Sequence, residues 1–170
     1  CYAANLLKPG DVIFLDTGTT TLHIAQALKD QKEITIITNS ILILSELRYV
    51  RDLELILLGG NYRPGNFALS GPITESNMEN FRAKYAFLGA DGITLSNGVT
   101  SNDIYTAQIT KLMMKFAEKP VLVSDHTKIG LVGSIKYANL DEFHTFITND
   151  KISKEIATTF ESRGINIKKV

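Results

Sequence analysis

The stretch "FLDTGTTTLHIAQAL", Phe14 to Leu28, changes character twice. It runs apolar, turns on the single glycine Gly18, and then shows Thr19, Thr20 and Thr21 ahead of an amphipathic segment. A strand that turns directly into a helix leaves backbone N–H groups unpaired at the helix start. Here those donors stand beside one carboxylate, Asp16, and the hydroxyls of Thr17, Thr19, Thr20 and Thr21. Such a corner suits an anion, because the open amides and the helix dipole both favour negative charge.

Working outward, short apolar and β-branched runs recur along the chain: 11–16, 34–38, 53–58, 85–90, 120–124, 143–148 and 165–170. Most are continuous rather than alternating, which predicts strands covered on both faces. Helical patterns lie between them. In 101–118 the residues Ile109, Leu112, Met113, Phe116 and Ala117 follow helical spacing up to Pro120. In the last helix Asp150 is a candidate cap, Ile152, Ile156 and Phe160 form a stripe, and Gly164 ends it. Segment 40–50 holds four consecutive apolar residues, but Ser40 as a cap and the spacing of Leu44, Leu47 and Val50 favour a helix. Strands alternating with helices imply βαβ units, and so an α/β fold with an open, mostly parallel sheet and helices on both faces. The stretch "GGNYRPGNFALSGP", 59–72, interrupts the pattern as turns or a β-hairpin too short for another domain.

The 170 residues, 44% hydrophobic and 21% charged, are enough to bury one sizeable core. Lys plus Arg and Asp plus Glu each number 18, so no clustered positive face for nucleic acid is expected of this chain itself. A single cysteine, terminal Cys1, offers neither a disulfide nor a metal pattern and gives no argument for a nucleophile. That usage fits a reducing, cytoplasmic setting. No run reaches the ~20 apolar residues of a membrane span, and no signal-peptide pattern is visible. The chain starts without methionine in a helix-like stretch, "CYAANLLKPGD", which raises the expectation of further sequence upstream.

Ligands of parallel α/β sheets bind beyond the carboxyl ends of the strands. Residues just after the predicted strands therefore carry weight: Asp16, Gly18, Thr19 and Thr20; Asn39; Gly59 and Gly60; Asp91 and Gly92; Asp125, His126 and Lys128. Each has two readings. Asp16 accepts sugar hydroxyls or serves its own turn, and Gly18 to Thr20 hold a phosphate or form an ordinary helix start. Asn39 suits a hydroxyl-rich ligand or caps a helix, while the glycines admit a ligand or simply turn the chain. Arg63 or Lys128 neutralises a phosphate or stays solvated. Asp91 and Asp125 are an acid/base pair or two turn formers. His23, His126 and His144 lack metal-ligand spacing, and neither a Walker loop nor a GxGxxG fingerprint is present, so no metal and no nucleotide cofactor is expected. Met113 and Met114 read as core filling.

Taken in order, "GDVIFLDTGTT", "ITIITNS", "LILLGG", "ALSGP", "AFLGADGIT", "SDHTKIG" and "FITND" resemble the carboxyl-terminal sensor domain of DeoR-type transcriptional repressors. The resemblance implies a fold shared with ribose-5-phosphate isomerase, glucosamine-6-phosphate deaminase and CoA transferases. It further implies a non-catalytic domain that binds a phosphorylated sugar and forms a dimer or tetramer. DNA would be reached only through an upstream winged helix-turn-helix that this chain lacks. The effector positions it implies are Asp16, Gly18, Thr19, Thr20, Asn39, Gly59, Gly60, Asp91, Gly92, Asp125 and Lys128. One departure stands out: the family's usual Glu and Lys in the helix before "DHTK" are Thr106 and Thr110 here. A sugar-phosphate isomerase or deaminase, with Asp91 or Asp125 as base and Lys128 as electrostatic partner, is the competing expectation.

Overall fold

The computed structural model describes residues 2–170; Cys1 and its thiol lie outside them. A short helix, α1 (Tyr2–Asn5), leads into β1 (Val12–Leu15), α2 (Thr19–Ala27), β2 (Ile34–Thr38), α3 (Ile41–Leu47) and β3 (Leu53–Leu57). A hairpin of β4 (Asn61–Arg63) and β5 (Ala68–Ser70) follows, then α4 (Pro72–Met78) and β6 (Ala83–Leu88). A second hairpin, β7 (Gly92–Thr94) and β8 (Gly98–Ser101), precedes α5 (Ile104–Lys115) and β9 (Ala117–Val123). The chain ends with β10 (Ile135–Ala138), β11 (Thr145–Thr148), α6 (Lys154–Ser162) and β12 (Ile167–Lys169).

Seven strands form one sheet in the order β12-β11-β9-β6-β1-β2-β3, every neighbouring pair parallel. These are the seven strands expected from the continuous apolar runs. Successive residues of each strand serve opposite faces. Ile13, Leu15, Ile34, Ile36, Tyr85, Phe87, Val121 and Val123 pack under α1, α2 and α3. Phe14, Ile37, Ala86, Leu88, Leu122 and Phe146 pack under α4, α5 and α6. With both faces buried, alternation has no place in the sequence.

Strand order decides where a site can form. From β1 the chain builds outward to β2 and β3, then returns to the other side of β1 with β6 and continues outward to β12. The reversal lies between β1 and β6, and beyond the carboxyl ends at such a point ligands of parallel α/β sheets bind.

Several expectations change in detail. The helix expected over 101–118 ends at Lys115, and Pro120 sits inside β9, paired with Ala86, rather than after a helix. The last helix is capped by Ser153, whose hydroxyl accepts from Ile156 N, rather than by Asp150. Ser40 does cap α3, accepting from Ile43 N at 3.3 Å. Segment 59–72 contains the hairpin β4–β5. A small antiparallel sheet, β10-β8-β7, and the helix α4 had no counterpart in the sequence reading.

Candidate functional site

The crevice between β1 and β6 opens into a cavity of about 170 Å³. Asp16 follows β1 and is only 1% exposed. Its Oδ1 accepts from Thr17 N at 2.8 Å, and its Oδ2 accepts from Gly89 N at 3.3 Å and Thr110 Oγ1 at 3.1 Å. The carboxylate thus ties the β1 corner to the β6 corner and to α5. Burial pushes its pKa up to about 6, with a small further push from Asp91, while the three donors pull the other way. A carboxylate offers about four acceptor positions, so the side chain retains capacity for one more donor.

Gly18 carries the turn into α2. Its φ of 138° and ψ of 168° fall where side-chain-bearing residues rarely sit. No side chain among the described residues caps α2, so the amides of its first turn stay open. Thr21 does not cap either, because its hydroxyl donates to Gly18 O at 3.0 Å. Thr19 and Thr20 line the cavity beside these amides.

β6 and β9 supply the opposite wall. After β6, Asp91 is held by Asn102 N at 2.7 Å and Ser101 Oγ at 3.2 Å, both donated from the end of β8. After β9, Asp125 accepts from Thr127 N at 2.7 Å and from the Thr127 hydroxyl, which holds its carboxyl below the usual carboxylate range. Lys128, on the same 3-10 turn, is the one cation lining the cavity among the described residues. Thr106 and Thr110 of α5 and Tyr137 of β10 close the remaining sides. The Tyr137 hydroxyl donates to Gly89 O, and burial raises its pKa well above the ordinary value, with the Asp16 and Asp91 charges adding to the push.

Asp16, Gly18, Thr19, Thr20, Asp91, Asp125 and Lys128 therefore share one cavity. Asn39, Gly59, Gly60 and Gly92 do not line it. Asn39 Nδ2 donates to Leu69 O at 2.9 Å and pins the β4–β5 hairpin to β2. Gly59 O accepts from Thr74 Oγ1 at 2.6 Å. A Cβ on Gly60 would stand 1.9 Å from Thr74 Oγ1, and one on Gly92 would stand 2.5 Å from Leu131 O, so both glycines permit close packing. His126 bonds Asn149 Oδ1 through its backbone N and its Nδ1, and Arg63 stacks 4.0 Å from the Tyr105 ring centroid.

Ser101, Thr106, Thr110 and Tyr137 join the cavity from elements that do not end at the sheet's rim. In sequence Thr106 and Thr110 stood out only as the departure from the family's usual Glu and Lys, and their spacing of four residues sets them on one face of α5. Ser101 and Tyr137 gave no such sign. The hairpin tip also reaches this region: Thr17 Oγ1 donates to Asn66 O at 3.1 Å, and Asn66 Nδ2 donates to Thr106 Oγ1 at 3.0 Å and Asp103 Oδ2 at 3.2 Å. Among the described residues no group of His, Cys, Asp and Glu is arranged to hold a metal. None of the helices among the described residues is long and apolar enough to cross a membrane.

The fold is that of ribose-5-phosphate isomerase from Methanocaldococcus jannaschii, with a TM-score of 0.54 at 19% identity over 75% of this chain and 50% of that one. It is also that of eIF2B beta from Chaetomium thermophilum, with a TM-score of 0.56 at 14% identity over 85% and 45% of the two chains. In sequence the chain is 30% identical to the HTH-type transcriptional regulator IolR of Bacillus subtilis and 31% identical to the HTH-type transcriptional regulator GolR of Listeria innocua, each over 98% of its length. It is 34% identical to the HTH-type transcriptional regulator GlpR of Haloferax volcanii over 97%. It spans 66%, 65% and 64% of those regulators' lengths. The DeoR C-terminal sensor domain matches residues 1–150, and the chain belongs to that family.

Proposed function

We propose that this domain binds a phosphorylated sugar and thereby controls a DeoR-type transcriptional repressor. The phosphoryl group rests on the open first turn of α2, against Gly18, Thr19 and Thr20, with Lys128 supplying the opposing charge. One observation carries the reading: α2 starts without a side-chain cap at the reversal point of the sheet and faces a polar cavity. Asp91 and Thr106 face the same cavity and accept sugar hydroxyls, and Asp16 contributes its remaining lone pair. Asn39, Gly59, Gly60 and Gly92 act as framework around this site rather than as direct contacts. The DNA-binding winged helix-turn-helix lies outside this chain, as the HTH-type names of the relatives suggest. The protein acts in the cytoplasm as a symmetric oligomer, because paired operator half-sites call for paired heads.

The ligand controls DNA binding only if it prefers one arrangement of the heads over another. Relief of repression is the expected direction. An isomerase or deaminase reading has less support. Asp91 Oδ2 is already engaged by Ser101 and Asn102, Asp125 is stabilised as an anion by Thr127, and the relatives are named as regulators.

Calorimetry with triose, pentose and hexose phosphates tests the proposal, together with Thr20→Val. Removing that hydroxyl weakens the phosphosugar by about tenfold or more and leaves its unphosphorylated parent little affected, since bonds to charged groups are the stronger ones. Equal weakening of both would refute the assignment of the phosphate to this corner.

A further inference from the structure

Between the tip of the β4–β5 hairpin and the start of α5, the polar cavity adjoins a wider chamber of about 630 Å³, with which it shares Gly18, Thr19, Asp91 and Thr106. Small-molecule sites span about 300–1,000 Å³. The inner cavity, at about 170 Å³, is small for a whole ligand, and the outer chamber supplies the missing room. Asn66 holds the chamber's walls together. Its carbonyl accepts from the Thr17 hydroxyl at 3.1 Å, and its Nδ2 donates to Thr106 Oγ1 at 3.0 Å and Asp103 Oδ2 at 3.2 Å. The hairpin tip is thereby tied to the β1 corner on one side and to α5 on the other.

These bonds leave a set of acceptors without donors. Asp103 receives Asn66 and the Thr106 amide and hydroxyl all on Oδ2, and Asp91 receives Ser101 and Asn102 on its Oδ2. Oδ1 of each carboxylate, and Oδ1 of Asn66, has no hydrogen-bond partner among the described residues. No lysine, arginine or histidine among the described residues lines this chamber, whereas Lys128 lines the inner cavity. Leu42 and Phe67 give it an apolar flank. Phe67 is 48% exposed and sits at a φ of 49°, where a bulky residue stays only when its surroundings hold it. Its carbonyl accepts from Ile41 N at 2.8 Å.

We infer that the outer chamber reads the end of the ligand remote from its phosphoryl group, and that Asn66 and Asp103 make it specific for an end bearing hydroxyl groups and no second negative charge. The inference rests on the anion-site reading above and adds the class of ligand. With the phosphoryl group against α2 and Lys128, the rest of a sugar or sugar-alcohol chain extends past Asp91 toward the hairpin. Its hydroxyls donate to the waiting oxygens, and its C–H edge lies on Phe67 and Leu42. A carboxylate or second phosphate in the same place would face two carboxylates with no cation to offset them, which selects against it.

Two probes with the same carbon chain test this on the amide-labelled protein. Glucitol 6-phosphate ends in a hydroxymethyl group and 6-phosphogluconate in a carboxylate, while methyl phosphate is the reference for the α2 corner alone. Glucitol 6-phosphate is expected to bind at least about tenfold more tightly than 6-phosphogluconate, because like charges are costly when brought together in a site. It is also expected to shift the amides of Asn66, Phe67 and Asp103, which methyl phosphate leaves in place. Asp103→Asn keeps the cap of α5, since Asn caps a helix as well as Asp, and removes one of the two charges. The preference between the two probes is expected to shrink by about threefold or more in that variant. Equal or tighter binding of 6-phosphogluconate, silent Asn66 and Asp103 amides, or a preference unchanged in Asp103→Asn overturns the inference, while methyl phosphate shifts at Gly18–Thr21 leave the phosphate site standing. If no phosphate ester moves those amides, both readings fail.

Discussion

The corners after β1 and β3 look alike in sequence and behave differently in the fold. Both are glycine turns with polar neighbours, "DTGTT" and "GGN". After β1, Gly18 leaves the first amides of α2 without a side-chain cap, and the space where its Cβ would point holds nothing closer than Thr21 Oγ1 at 3.7 Å. After β3, the Gly59 carbonyl is taken by Thr74, and Gly60 is closed in by Thr74 Oγ1 and Ser70 O. A glycine at a strand end thus either leaves the next helix's first amides open or lets that helix pack closely. What separates the cases is whether the polar atoms around it already have partners.

The largest effect is expected at the packed corner. Gly60→Ala puts a Cβ 2.9 Å from the Ser70 carbonyl at a φ of 137°, and destabilises the fold by about 3 kcal/mol or more, read as a lower denaturant midpoint. Gly18→Ala, with open space around it, has only its φ to contend with and costs less, on the order of 1–3 kcal/mol. Equal losses at the two glycines would erase the distinction between the corners.

Next in size is the pH dependence contributed by Asp16. Its folded pKa of about 6 lies above its ordinary value of 3.8, so between these pH values the folded state holds more protons than the unfolded one. Stability from this group is therefore greatest at low pH and falls as pH rises from about 4 to about 6, by about 3 kcal/mol in all. Asp125, held below its usual range, acts in the opposite sense, so the comparison to make is wild type against Asp16→Asn. The difference between the two unfolding free energies is expected to change over pH 4 to 6 and level off above. A difference that stays flat throughout would remove the buried-carboxylate account.

The smallest effect is expected at Asn39. Its side chain holds the hairpin through one bond to Leu69 O, so Asn39→Ala costs about 1 kcal/mol of stability. Phosphosugar affinity, measured by calorimetry, is expected to change by less than about twofold. A tenfold loss would bring the β2 corner back into the binding site.

The strands of the main sheet were legible mostly because buried faces produce nearly continuous apolar runs such as "VIFL" and "ITIIT", although the edge strand β12, "IKK", buries only Ile167. The strands "GIT", "GVTS" and "IKYA" carry no such signal, since they are short and mix glycine and hydroxyl residues with the apolar ones. In the site, the residues directly following β1, β6 and β9 were legible because a strand end fixes their location. Strand order was not legible, and it is strand order that carries Asn39, Gly59 and Gly60 away from the crevice between β1 and β6. Tyr137 was hidden for a related reason: it arrives from the small antiparallel sheet, and its buried hydroxyl finds Gly89 O across 48 positions of sequence.

The central claim is that the open first turn of α2 is an anion site, and an amide-resolved titration with methyl phosphate tests it most directly. The account predicts progressive, saturable shifts at Gly18, Thr19, Thr20 and Thr21, while Gly59, Gly60 and Asn61 stay in place. Saturable shifts at the β3 corner instead, or an unmoved spectrum at millimolar phosphate ester, would contradict it.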